Sequence, residues 1–289
     1  MTLHEGSAVF ATGAMRALAR VLLPLLASGP LGIALSGGLD SRFLARAARL
    51  LAAAEALPAP IPLHVFGPHV PSGDTRWAER WAGLEGLSLL RVRVDPLALP
   101  EVARNGRDRC YFCKKALFLA MRAAFEQACG QQGAILCDGS NASDHAGYRP
   151  GLKALRELGV RSPLDEAGFA KDDIRRCAAD IGLALPDQAS RPCLLTRFPY
   201  GLRPDHASLA ALEEDERRAQ LFLSERLPVV PDFRVRMTEQ GRLLQIGPCP
   251  ADVLEELMAM LGLPLSAAMQ MEAPSGYFDR QLGLHGGAQ

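Results

Sequence analysis

One stretch limits the folds open to this chain: Leu31-Gly32-Ile33-Ala34-Leu35-Ser36-Gly37-Gly38-Leu39-Asp40-Ser41. Its first half is an apolar run with the length and content of a buried parallel strand, closed by a glycine pair. Beyond Ser41, the residues Phe43, Leu44, Ala47, Ala48 and Leu51 fall at helical spacing. A strand, a Ser-Gly-Gly turn and a helix are therefore expected in immediate succession. Such a turn gathers backbone N–H groups and the positive end of a helix dipole around one point, where an anion can sit. Gly37 and Gly38 let the backbone approach a phosphate with no Cβ in the way. Ser36 and Ser41 add hydroxyl donors, and Asp40 can hold a magnesium ion that bridges phosphates. No lysine ends the turn, so it is not the GxxxxGK[ST] nucleotide loop. A tight strand-to-helix turn without a ligand is the plainer alternative.

The following residues extend the same pattern. Strands are expected at Ile61–Phe66, Leu87–Asp95 and Ala134–Asp138, with helical sequence at 74–84 and from the CxxC stretch to about Ala128. Alternating strands and helices predict an α/β fold, a doubly wound parallel sheet with helices on both faces. Ligands in such folds bind at the carboxyl ends of the strands, which brings Asp40 and Asp138 to one crevice. Trp77 and Trp81, four apart on a helix, suit packing on the sheet better than stacking on an adenine.

Three polar stretches carry the remaining chemistry. The first, Asn105–Lys115, holds Cys110 and Cys113 at the start of a helix among basic residues. Zinc would want a second close Cys or His pair, so packing or site-lining competes with a redox role. Arg109 and Lys114 are cations near a helix N-terminus, able to reach an anion. The second stretch, Asp138–Gly151, is a turn-rich loop straight after a strand, where α/β enzymes carry function. Asp144 there is either a second magnesium ligand or part of a solvated loop. The third, Gln188–Gly201, is constrained by Pro192, Pro199 and Gly201 around Cys193. Arg191 and Arg197 flank Cys193 and would favour its thiolate, the nucleophilic form. A buried, inert thiol is the competing reading.

After a linker at Arg203–Asp205, a charged helix to about Arg226, two short alternating strands and a helix at Ala251–Leu261 predict a small α+β C-terminal domain. The expected division is 1–203 and 204–289. Arg234 and Arg236 share one strand face and could clamp a phosphate or carboxylate, or could be exposed decoration.

Lysine plus arginine and aspartate plus glutamate balance at 32 each, which speaks against a broad nucleic-acid-binding field. The apolar stretch from Ala8 to Ser28 is broken by Arg16 and Arg20 and reads as an amphipathic helix rather than a leader or span. Seven scattered cysteines fit free thiols. The six histidines show no metal-ligand spacing. A cytoplasmic protein without a membrane segment is expected.

Ser-Gly-Gly-Leu-Asp-Ser resembles the PP-loop of ATP pyrophosphatases, enzymes that cleave ATP between its α and β phosphates. Three further landmarks follow in order: Asp-Arg-Cys-Tyr-Phe-Cys-Lys-Lys, Asp-Gly-Ser-Asn-(x)6-Tyr-Arg-Pro-Gly and Pro-Cys-Leu-Leu-Thr-Arg-Phe-Pro-Tyr-Gly. With Arg-Val-Arg at 234–236, the set resembles the LarE family, sacrificial sulfur transferases that build the nickel-pincer cofactor of lactate racemase. The resemblance spans roughly residues 10 to 250 and implies a PP-loop ATPase fold of the adenine nucleotide alpha hydrolase type. It implies ATP and Mg²⁺ as cofactors, with ATP contacts from Ser36, Gly37, Gly38, Asp40, Ser41 and Gly139 and metal ligands Asp40 and Asp144.

The implied substrate is a small carboxylate, pyridinium-3,5-biscarboxylic acid mononucleotide. One carboxylate is adenylated, Cys193 forms a thioester, and elimination leaves dehydroalanine at 193. Arg234 and Arg236 would hold the substrate phosphate, Arg197 would orient a carboxylate, and Arg109 and Lys114 complete the expected substrate contacts. Homo-oligomers are implied as well. Leu194, Leu195 and Thr196 follow Cys193 with no neighbouring cysteine, which favours a single-use thiol over an iron–sulfur cluster. Gly67–Gly73 and Arg42 depart from the family pattern. A PP-loop tRNA thiolation enzyme, an ammonia-dependent ligase of the NAD synthetase type and a non-catalytic nucleotide-binding regulator are the alternatives.

Overall fold

The computed structural model describes residues 10, 13–130, 134–146, 149–185, 191–272 and 277–281. They divide into two compact units. The first comprises residues 1–67, 72–94 and 110–190, and the second 68–71, 95–109 and 191–289. Both are discontinuous, unlike the contiguous split at 203/204 expected from sequence.

The first unit is built on a four-stranded parallel sheet in the order β3-β2-β1-β4. The strands are β1 (Leu31–Ala34), β2 (Ile61–Phe66), β3 (Leu90–Arg93) and β4 (Ile135–Cys137). The main helices, in chain order, are α1 (Gly13–Ala27), α2 (Leu39–Ala54), α3 (Ser72–Leu84), α4 (Arg109–Cys129), α5 (Pro150–Glu157) and α6 (Lys171–Asp180). The expected doubly wound α/β arrangement is present, and side-chain alternation along β1 shows how. Leu31 and Ile33 join a core with Leu18 and Leu22 of α1, Phe43 and Leu44 of α2, Trp81 of α3 and Ile174 of α6. Gly32 lies on the opposite side, against Leu63, Leu136 and Phe125. That face is filled by Phe118, Met121 and Phe125 of α4 and Leu155 of α5. A Cβ at Gly32 would lie 2.9 Å from the Phe125 ring and 2.6 Å from Leu136, so any side chain here would force those core groups to shift.

β3 starts three residues later than expected. Glu85, Gly86 and Leu87 donate their N–H groups to the last carbonyls of α3, at Trp81, Gly83 and Ala82. With φ at +67°, Gly86 supplies the left-handed residue that this helix ending requires. Leu87 is thus engaged in closing a helix and is not available to the sheet ladder.

The second unit holds β5 (Phe233–Thr238) and β6 (Gly241–Ile246), an antiparallel hairpin, with β7 (Ala268–Gln270) parallel to β6. Its long helices are α7 (His206–Arg226) and α8 (Ala251–Leu261). Asp205 caps α7, accepting from Ser208 N at 2.7 Å, so the expected linker ends in a helix start. Phe233, Val235, Leu244 and Ile246 of the sheet are buried, as are Leu212 and Leu223 of α7 and Leu257 and Leu261 of α8. Among the described residues no helix is long and apolar enough to cross a membrane.

Candidate functional site

The strand order 3-2-1-4 places a topological switch point between β1 and β4, the position where open parallel sheets receive ligands. The carboxyl ends of those two strands run into Ser36–Ser41 and Asp138–Asn141. The two segments touch closely: a Cβ on Gly139 would fall 2.9 Å from Ser41 N and 3.1 Å from the Asp40 carbonyl carbon. Asn141 Nδ2 donates to Asp40 Oδ2 at 3.0 Å. Glycine at 139 is therefore a requirement of backbone packing in the turn.

Inside the turn, the hydroxyls brace the backbone. Ser36 N donates to Ser41 Oγ at 3.2 Å, Ser41 Oγ donates to Gly38 O at 3.1 Å, and Gly38 N donates to Ser36 Oγ at 3.2 Å. Gly37 has φ +82°, which a side chain resists, and a Cβ there would stand 3.3 Å from Trp77. Gly38 is the N-cap of α2 and provides no side-chain cap, which leaves the N-terminal amide dipoles of this 16-residue helix to a ligand. Of the two tryptophans, Trp81 is buried in the core, whereas Trp77 donates to Gly37 O at 3.1 Å.

Asp40 lies in the first turn of α2. Its burial pushes the carboxyl above the usual range; Lys171 opposes the shift and the negative charge of Asp144 adds to it. Asp144 itself accepts from Asn141 N at 3.1 Å and pairs with Arg149 at 3.0 Å. Asp40 and Asp144, the two expected metal ligands, thus interact electrostatically. Among the described residues no group of three or more His, Cys, Asp or Glu is arranged to hold a metal. A divalent ion here would take its remaining ligands from phosphate and water, the habit of Mg²⁺. Two neighbouring carboxylates, one of them disfavoured as a bare charge, fit that ion.

Lys114 is set against Asp138 at 3.4 Å, and Gly151 makes room for it, since a Cβ there would lie 2.9 Å from Lys114 Cδ. Asp138 also accepts from Ser140 Oγ at 2.6 Å and Ser162 Oγ at 2.7 Å. Cys113 is buried and Cys110 half-buried.

The second unit carries Cys193, half-buried and in extended conformation at the head of a 3-10 turn, Leu194–Arg197. Its carbonyl accepts from Thr196 N at 3.0 Å and Thr196 Oγ1 at 2.7 Å. Several groups fix the turn. Leu194 N donates to His69 O at 2.9 Å, Arg236 donates to Thr196 O at 2.8 Å, and Arg109 donates to Leu195 O at 2.8 Å. Arg109, expected to reach an anion, is instead 4% exposed and also donates to Asn105 Oδ1. Sequence reasoning overlooked Asn105. It is fully buried with φ +55°, and its Nδ2 donates to Pro199 O at 2.8 Å and Leu202 O at 2.6 Å. The Asn-Gly at 105–106, a pair that readily takes positive φ, was the available signal.

Arg197, Arg234 and Arg236 form one cluster within this unit, at 3%, 8% and 3% exposure, so the decoration reading of the strand arginines is excluded. Arg197 grips Glu216 bidentately at 2.7 and 3.0 Å. Arg234 pairs with Asp232, and Arg236 donates to Gln245 Oε1 and lies over the rings of Tyr277 and Phe278 at 5.4 and 5.0 Å. Burial, then the charge of Arg197, lowers the Arg234 guanidinium from its ordinary range. Burial, then Arg197 and Arg234, pulls Arg236 down to about 10. Glu216 and Asp232 are the carboxylates that pair with Arg197 and Arg234, and the mutual repulsion of the guanidinium groups is part of what lowers Arg234 and Arg236.

No protein-family model matches the chain. It is 34% identical over 169 residues to an uncharacterised protein of Synechocystis sp., a stretch covering 58% of this chain and 60% of the relative. It is 32% identical over 132 residues to the pyridinium-3,5-bisthiocarboxylic acid mononucleotide synthase of Lactiplantibacillus plantarum, covering 46% and 47% of the two chains. An uncharacterised protein of Methanocaldococcus jannaschii is 30% identical over 130 residues, 45% of this chain and 48% of that one. The chain thus spans about half to three fifths of the length of the curated relatives it matches. It is related in sequence to a LarE synthase, the family that its motifs resemble.

Proposed function

We propose that this protein is an ATP-dependent sulfur transferase of nickel-pincer cofactor biosynthesis. It adenylates a carboxylate of pyridinium-3,5-biscarboxylic acid mononucleotide and converts it to a thiocarboxylate with the sulfur of Cys193. The observation that carries the reading is the glycine turn at the sheet's switch point, with Asp40 and Asp144 electrostatically coupled beside it. Similarity to a named synthase supports the choice of substrate.

In the first half-reaction, Ser36, Gly37, Gly38, Ser41 and Gly139 line the place of the ATP phosphates. Their N–H and hydroxyl donors stabilise the departing pyrophosphate without reorganising. Asp40 and Asp144 would hold Mg²⁺, which supplies charge neutralisation on that leaving group. The substrate carboxylate attacks the α-phosphorus, giving an acyl-adenylate and pyrophosphate. In the second half-reaction the Cys193 thiolate attacks the acyl carbon and AMP departs, leaving a thioester. Loss of the Cys193 α-proton then expels the thiocarboxylate and leaves dehydroalanine, so each chain gives up one sulfur. Arg197, Arg234 and Arg236 provide the positive charge for the substrate's phosphate or second carboxylate. Arg109 and Lys114 act through their protein partners, Leu195 O and Asp138.

Intact-mass measurement before and after incubation with ATP, Mg²⁺ and the pyridinium dicarboxylate mononucleotide tests the reading. The expected result is AMP and pyrophosphate release with loss of the elements of hydrogen sulfide, mapped to Cys193 and absent in Cys193→Ser. AMP release with unchanged mass would move the sulfur donor elsewhere. Absence of AMP would overturn the adenylation step with this substrate.

A further inference from the structure

Arg42 stands in the first turns of α2 and has no part in the chemistry above. It is a large, fully buried side chain in the unit that holds the Ser36–Ser41 turn. Its guanidinium fork is divided among three backbone carbonyls. Nε donates to Gly37 O at 3.1 Å, one terminal nitrogen to Ala184 O at 2.7 Å and the other to Leu185 O at 3.2 Å. The same group lies 5.4 Å from the Trp77 ring, whose Nε1 shares the Gly37 carbonyl. One planar group therefore joins the glycine turn to Ala184 and Leu185, which lie 142 and 143 positions beyond Arg42 in the chain.

We propose that Arg42 is a positioning residue that couples occupancy of the Ser36–Ser41 turn to the placement of the Ala184–Leu185 segment, which ends eight positions before Cys193 in the sequence. The inference rests on the reading of the turn as an ATP site. In a trans peptide the C=O and the following N–H point in opposite directions. With Gly37 O held inward by Arg42 and Trp77, the Gly38 N–H is aimed at exposed Ser36, where a phosphate oxygen would accept it. An anion accepting that N–H polarises the peptide and strengthens the bond from Arg42 to its carbonyl, because linked hydrogen bonds reinforce one another. The guanidinium is rigid, so fixing one edge fixes the other two donors.

The far end of the link carries its own mark. Leu185 has φ +54°, a left-handed conformation that a leucine adopts only under constraint from its surroundings. Its carbonyl is one of the three held by Arg42. Lysine could not reproduce the arrangement, since a single ammonium cannot span the three carbonyls in one plane.

Hydrogen–deuterium exchange on the full chain, with and without MgATP, tests the coupling. In the wild type, MgATP should slow exchange in peptides covering 36–42 and in those covering 182–185. In Arg42→Lys the slowing at 36–42 should persist and the slowing at 182–185 should be lost. Trp77→Phe, which removes a donor to Gly37 but keeps the fork, should retain both. In turnover assays Arg42→Lys should lose kcat for sulfur transfer while the KM for ATP in AMP formation stays within a few-fold of wild type. Slowing at 36–42 with none at 182–185 in the wild type would overturn the coupling alone, and this arm needs no variant to fold. Equal responses of wild type and Arg42→Lys at 182–185 would also overturn it. No slowing at 36–42 in the wild type would overturn the ATP reading and the coupling together.

Discussion

In the first unit the glycine turn presents peptide dipoles and hydroxyls, whereas in the second three arginines are buried together on and beside one strand. At the Ser36–Ser41 turn the hydroxyls and the Ser36 and Gly38 amides bond to one another, which braces the turn without any buried charge. The arginine cluster is not at rest in the same sense: each of Arg234 and Arg236 is held below its ordinary pKa range by burial and by its neighbours. A dipolar site costs little when empty and gains selectivity from shape. A charged site destabilises the empty protein and returns that energy when an anion binds. The difference suits the division of labour proposed, with a common nucleotide met by geometry and a multiply charged acid met by charge.

The largest effect should come from unbalancing the charged side. Glu216 holds Arg197 by both oxygens and also accepts from Val235 N at 3.0 Å. Glu216→Ala should lower unfolding stability by about 3 kcal/mol, in line with the breaking of buried ion pairs. Chemical denaturation in increasing phosphate should restore part of that loss, and a variant insensitive to phosphate would remove the distinction between the two units.

A smaller effect is expected on the dipolar side, from Gly139→Ala. Its new methyl group meets Ser41 backbone that cannot move independently, so a destabilisation of about 1–3 kcal/mol is expected. Nucleotide binding, followed by calorimetry, should weaken at least as much, and phosphate should not repair it. Recovery by phosphate would show that the turn, too, depends on bulk anion charge.

The least effect concerns protons. His64 sits at 1% exposure, with Nδ1 2.8 Å from Leu35 O and Nε2 3.1 Å from Thr75 Oγ1. Burial holds its pKa below 6.5, against the pull of the Leu35 hydrogen bond. The unfolded chain then binds the proton first, so stability should fall as pH drops from about 6.5 through the folded value. Asp40, with a raised pKa, favours the fold as pH falls and opposes that slope. Denaturation midpoints of wild type and His64→Gln between pH 8 and 5 separate the two, and parallel curves would refute the contribution of His64.

Legibility in the sequence follows the same contrast between units. The glycine turn is assembled from neighbours in the chain, so strand, glycine pair, hydroxyls and helix could be read in one pass. Its Asp138–Asn141 partner also follows from a buried strand running into a polar turn. Charge burial is a different matter, because it depends on what folds over a residue. Arg234 and Arg236 were recognisable as sharing a face, but the rings of Tyr277 and Phe278 and the Thr196 carbonyl that cover Arg236 come from distant segments. Glu216 lies within the stretch read only as a charged helix, and the fold makes it the partner of Arg197. Arg109, expected to reach an anion, donates to the Leu195 carbonyl, since guanidinium groups serve backbone carbonyls as readily as ligand anions.

Gly32 has a mechanical consequence of its own. Its bare backbone seats Phe125, which makes the contact a fulcrum for α4. At 1.5 Å of rise per residue, Lys114 rides about 16 Å from that fulcrum. A tilt of about 5° would therefore swing it by more than about 1 Å, enough to part the 3.4 Å pairing with Asp138. A methyl group added at the centre of the sheet would be felt at the helix tip as leverage.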